Sequence, residues 1–185
     1  MILTKRDLKY YLECDKEMID RKTKRPRLFG DELWKYTIRL RKLEYYMNNK
    51  KNLFCFIMYC FSKFLHHKMS VKLNTEIPPN VFGPGLMIFH PGTITVNDSA
   101  KVGCNCHLYS GVNIAEKCVI GDNVYIAPGV KILPNVTIAN DIRIGANAVV
   151  NKSVTESGIT IGGVPAHKLS DKPSLHKRAT DFISR

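Results

Sequence analysis

Few side chains in this 185-residue chain have chemistry to offer, and His90 stands out among them. It lies in the stretch GPGLMIFHPGTITV (83–96), and an imidazole is the side chain best suited to take a proton from a reacting group. The six cysteines, Cys14, Cys55, Cys60, Cys104, Cys106 and Cys118, form no CxxC pair. They show no Cys/His spacing of the zinc kind, so no metal is expected. Nothing in their pattern calls for a covalent intermediate, although Cys104, beside Gly103, stays in consideration.

Two kinds of sequence must position these groups. Residues 1–70 read as helical. Leu8, Tyr11, Leu12 and Met18 recur at helical spacing, as do Leu33, Tyr36, Thr37, Leu40, Leu43 and Met47. KTKRPRLFG, with Pro26 and Gly30, connects the two helices, and a third is expected over about 52–68. Its core, LFCFIMYCF (53–61), is far shorter than the roughly 20 apolar residues a membrane span needs. Burial against the body is expected for it, ahead of a position on a membrane surface.

The charge is +12 and uneven: residues 1–70 hold 17 Lys/Arg against 8 Asp/Glu, and residues 71–185 hold 11 against 8. Such an excess suits a solvated basic face, an anionic membrane surface or the phosphates of a coenzyme; a nucleic-acid partner is not expected. The charged N-terminus does not read as a secretory signal, and a cytoplasmic location with reduced thiols is expected.

From about residue 71 helical periodicity gives way to a period of six. Val96, Val102, Leu108, Ile114, Ile120, Ile126, Ile132, Ile138, Ile144 and Val150 follow it without exception. Four residues after each comes a second apolar or small residue, Cys106 and Cys118 included, which makes those two thiols core fillers. Six residues suit a short strand plus a corner, and three such sides close a coil. Residues 18 apart then stack at strand spacing, roughly 4.8 Å, around a prism of aliphatic side chains. The expected fold is mainly β, a parallel β-helix over 71–168, preceded by an α-helical segment over 1–70 and followed by a tail over 169–185. Six steps back from Val96 falls on His90, which interrupts the aliphatic column unless the corner is distorted there.

This pattern resembles the hexapeptide-repeat acyltransferases, whose β-helix is left-handed. Within them the chain looks most like the serine acetyltransferase-type branch. The resemblance rests on GPGLMIFHPGTITV, IGDNVYIAPGVKILPNVTI, IGANAVVNKSV and ITIGGVPAHKL, and covers about residues 75–170. DLKYYLECD and RPRLFGDELWKY also resemble the helical lead-in of small acetyltransferases encoded with polysaccharide-assembly genes. The resemblance implies that His90 is the general base, taking the proton of a hydroxyl acceptor as it attacks acetyl-CoA. Transfer would be direct, with the tetrahedral oxyanion held by backbone N–H groups. It further implies that the coenzyme lies against Ala127, Pro128, Ala146, Asn151 and Lys152, with Lys168 for its phosphates.

The chain also departs from the pattern. EIPPN places Glu76 where serine acetyltransferases carry an orienting aspartate, one residue closer to the histidine. SGVNIAEKCVIGDN lacks the loop that holds their second histidine. His107, 18 residues from Phe89, is the available substitute. The expected function is acetyl transfer to a sugar hydroxyl of a polysaccharide or its precursor, with L-serine as the alternative acceptor and an acyl carrier protein as a variant donor. A zinc enzyme of the γ-carbonic-anhydrase kind and a non-catalytic scaffold are the competing readings. A homotrimer is implied, with its sites between subunits.

Overall fold

The computed structural model describes residues 1–174, 176 and 178–184. Three helices open the chain: α1 (Lys5–Met18), α2 (Glu32–Asn48) and α3 (Leu53–Leu73). Thr4 caps α1 in a reciprocal box with Asp7, and Asn52 caps α3 through the amides of Phe54 and Cys55. Asn74 ends α3 in a left-handed conformation, and the first strand begins one residue later.

The inward faces differ from the sequence expectation. On α1 the buried residues are Asp7, Tyr11, Cys14, Asp15 and Met18, so Leu8 and Leu12 sit at the margin. On α3 the inward face is Ser62, His66, Met69 and Leu73, while Leu53, Phe54, Ile57, Phe61 and Phe64 are exposed. The burial expected for 53–61 is therefore not found. Its apolar residues point away from the body because α3 turns the face bearing Ser62, His66, Met69 and Leu73 inward.

The strands are short: β1 (Thr75–Glu76), β2 (Met87–Ile88), β3 (Ile94–Val96), β4 (Lys101–Val102), β5 (His107–Leu108), β6 (Asn113–Ile114), β7 (Val119–Ile120), β8 (Tyr125–Ile126), β9 (Lys131–Ile132), β10 (Thr137–Ile138), β11 (Arg143–Ile144), β12 (Val149–Val150), β13 (Thr160–Gly162) and β14 (His167–Ser170). They form the three faces of a prism: β1-β3-β6-β9-β12, β4-β7-β10, and β2-β5-β8-β11-β13 with β14 antiparallel at its end. All other pairings are parallel, with partners 18 apart through the middle coils. The six-residue column from Val96 to Val150 is buried throughout. Each branched side chain removed from water contributes about 1.5–3 kcal/mol, which is why the column tolerates no polar substitute.

Corners turn through left-handed residues, which explains the Asn and Gly punctuation. Asn105, Asn123 and Asp141 stack at one corner with φ of 54°, 57° and 60°. Their side chains bond in series, Asn105 Nδ2 to Asn123 Oδ1 and Asn123 Nδ2 to Asp141 Oδ1, each at 3.0 Å. The C-terminal tail runs along this corner. Arg178 pairs with Asp141, Thr180 bonds Asn105, and Ala179 packs against Cys14 and Met18 of α1. The tail thus ties the helices to the prism.

Candidate active site

The column does not pass through His90. Phe82 pairs with Val102 and Ile88 with Leu108, both 20 residues apart, so Ile88 fills the interior slot. From Ile88 to Val96 the chain takes eight residues instead of six, and the surplus forms an enlarged corner carrying an exposed His90. The expected clash of imidazole with the aliphatic stack is relieved by this change of register. Gly92 closes the corner at φ 152°, directly beneath Ser110. Thr75 Oγ1 donates to the Gly92 carbonyl (3.1 Å) and Asn74 Nδ2 to Thr93 Oγ1 (2.8 Å), fixing the loop from below. The His90 ring meets Phe89 edge-on at 4.9 Å, and Phe89 in turn stacks on Tyr109 at 4.8 Å.

A buried ion cluster anchors the strand that leads to this corner. Arg41 of α2 is fully buried and clasps Asp15 of α1 through two bonds, 2.8 and 3.2 Å. It also donates to Glu44 Oε2 (3.1 Å) and to the carbonyls of Phe82 (2.9 Å) and Gly83 (2.7 Å). Asp15 Oδ1 accepts from the amides of Gly85 (2.9 Å) and Leu86 (2.8 Å), and Glu44 from that of Asn80 (2.8 Å). Burial opposes the Arg41 charge, but the charges of Asp15 and Glu44 outweigh it and hold the guanidinium protonated. The sequence reading passed over these three residues. The signal was present: Asp15, Arg41 and Glu44 fall on the inward faces of amphipathic helices, where a charge needs a partner.

Neither proposed assistant touches His90. Glu76 pairs with Thr95 on a different prism face from β2, and no hydrogen bond joins it to His90 among the described residues. His107 stacks above Met87, not Phe89, because the first coil is two residues longer than the repeat. Its ring lies against His176 of the tail at 4.0 Å, with Nε2 unbonded. Burial, and secondarily His176, pushes its pKa down to about 3. A base that weak is of no use near neutral pH. Cys104 is also unsuited to nucleophilic work, since burial, then the Asp122 charge, pushes its thiol up to about 11.

Ala127, Pro128 and Ala146 stand at the same corner as His90, following β8 and β11 as His90 follows β2. Strand spacing puts Pro128 about 10 Å and Ala146 about 14 Å further along the prism. Pro128 and Ala146 are exposed, and the Ala146 amide takes no partner among the described residues, which leaves a free donor at this corner. Asn151 and Lys152 follow β12 and so occupy the next corner. Lys168, on β14, bonds Glu156 (2.5 Å) and Asp171 (2.6 Å), so its charge is already matched. No group of three or more His, Cys, Asp or Glu is placed to hold a metal among the described residues.

Known proteins share the repeat and the fold. Residues 99–133 and 117–152 match the bacterial transferase hexapeptide (six repeats) family. No curated protein matches the sequence significantly. The serine acetyltransferase of Brucella abortus strain S19 superposes with a TM-score of 0.73 at 24% identity, covering 92% of this chain and 72% of that one. A serine acetyltransferase in complex with CoA gives 0.72 at 22%, covering 89% and 71%. That of Neisseria gonorrhoeae in complex with serine gives 0.65 at 26%, covering 90% and 70%. Repeat, prism and helical lead-in together give this chain the hexapeptide-repeat β-helix fold, which it shares with these serine acetyltransferases.

Proposed function

We propose that the protein is an acetyl-CoA-dependent O-acetyltransferase with His90 as general base. One observation carries this reading: the enlarged corner exposes His90 along the same edge of the prism as Pro128 and Ala146. His90 takes the proton of the acceptor hydroxyl while its oxygen attacks the thioester carbonyl carbon. The C–O bond forms, the C–S bond breaks, and the proton passes to the departing sulfur. The unbonded Ala146 amide suits an amide carbonyl of the pantetheine arm, with Pro128 as a flat apolar wall. Asn151 and Lys152 stand one corner away, and in the homotrimer proposed here a neighbouring subunit would bring them to the same coenzyme. No side chain of its own chain holds the His90 ring by a hydrogen bond among the described residues, so its orienting partner comes from bound substrate or that neighbour.

For the acceptor, the structural neighbours move L-serine ahead of a sugar hydroxyl, the reverse of the order the sequence suggested; one neighbour is a complex with serine. The sugar reading retains one observation in its favour. Phe89, 45% exposed and stacked on Tyr109, gives the groove beside His90 an aromatic surface suited to a pyranose face. Thiol release from acetyl-CoA decides between them: release with L-serine supports the first, and release only with saccharides supports the second. No release with any hydroxyl acceptor overturns the enzyme reading.

A further inference from the structure

Helix α3 buries Ser62, His66, Met69 and Leu73 against the body and carries a second apolar stripe that faces away from it. Leu53, Ile57, Phe61, Phe64 and Val71 recur at intervals of three, four and seven, and their exposures are 76, 57, 54, 58 and 69%. Phe54 (65%) widens the stripe, while Ser62 and His66 face inward. An exposed apolar stripe about 18 residues long needs a cover. The 31 residues from 45 to 75 hold five lysines, Lys50, Lys51, Lys63, Lys68 and Lys72, and no Asp or Glu. Lys63 lies over the Tyr59 ring and Lys68 over Phe64, at 6.0 and 5.7 Å, so cationic tips border the apolar stripe directly.

We infer that α3 is a docking surface for an anionic lipid bilayer, lying in the plane of the interface. The combination of an aromatic face with flanking lysines is the one that buries rings at the acyl boundary and leaves ammonium groups among lipid phosphates. A second copy of the same face would press Lys68 into a layer of rings with no carboxylate on either side to meet it. An acidic protein would match the lysines but has no evident use for so long an aromatic stripe. Beside Phe61, a cleft between α2 and α3 adds Arg25 and Lys42, neither with a partner among the described residues. No helix is long and apolar enough to cross a membrane among the described residues, so α3 lies on the surface and does not span it.

The test is co-sedimentation of the full chain with vesicles of phosphatidylcholine alone or in equal parts with phosphatidylglycerol. Pelleting with the anionic vesicles only, weakened by salt, is expected. Phe61→Ser with Phe64→Ser should lower vesicle affinity about tenfold or more at unchanged Tm and solution mass, and Lys63→Glu with Lys68→Glu should do the same. These side chains lie outside the core, so folding is not at stake. The inference is overturned if the chain stays in the supernatant with both vesicles, or if the aromatic variant binds as well as wild type. It is overturned too if that variant only lowers the oligomeric mass, or loses only affinity for an acidic carrier protein, with lipid binding unaffected. None of these readouts depends on acetyl transfer.

Discussion

Arg41 of α2 grips Asp15 of α1 with both arms of its guanidinium, and Asp15 in turn binds the amides of Gly85 and Leu86. The helical segment is therefore coupled to the strand that ends two residues before His90. Replacing Arg41 leaves two buried carboxylates and two backbone carbonyls without their donor. Arg41→Leu is expected to destabilise the fold by about 3–5 kcal/mol, measured by urea denaturation. A change below 1 kcal/mol would show that the cluster is solvated in solution.

His90→Ala should abolish turnover while leaving the Tm within a degree or two, because the side chain is exposed at a corner. General-base catalysis contributes about 10²- to 10⁴-fold, so a residual rate above one tenth of wild type would remove His90 from that role. Binding of CoA, followed by calorimetry, should persist.

Gly92→Ala tests whether the enlarged corner positions the base. A Cβ there would meet Ser110 Cβ at 2.9 Å, on backbone with φ of 152° that L side chains rarely adopt. The strain should cost about 1–3 kcal/mol and shift the loop bearing His90. A fall in kcat larger than the fall in stability explains, at a temperature where the variant is fully folded, is the expected outcome.

Ala146→Trp should block the groove without touching His90. The KM for acetyl-CoA is expected to rise at least about tenfold, with kcat nearly preserved at saturation. An unchanged KM would place the coenzyme at another corner.

Acid should destabilise the protein from just below pH 6.5. Burial holds His107 neutral in the folded state down to about pH 3, while the unfolded chain takes up the proton near 6.5. Stability from this group is complete above about 6.5 and declines as pH falls towards 3. Burial also lowers His66 and His176, which adds in the same direction. His107→Phe should keep its Tm at pH 5 closer to its value at pH 7.5, and should retain turnover if His107 has no part in the reaction.

The prism is legible in the amino-acid order alone, because a period of six held over ten positions keeps branched side chains inside and turning residues at corners. That order also marked His90, since an imidazole in that pattern is conspicuous. The register of the first coil, by contrast, is set by pairing between segments distant in sequence. Two surplus residues between Ile88 and Val96 move His90 to the corner and slide His107 from Phe89 to Met87, and an insertion cannot be located in a coil whose partners are unknown. The sequence supplied the apolar content of α3 but not its direction, since a stripe of rings has the same periodicity facing in or out. Packing of Ser62 and His66 against the body settled that, and the same three-dimensional meeting of distant chain segments brought Asp15, Arg41 and Gly85 together.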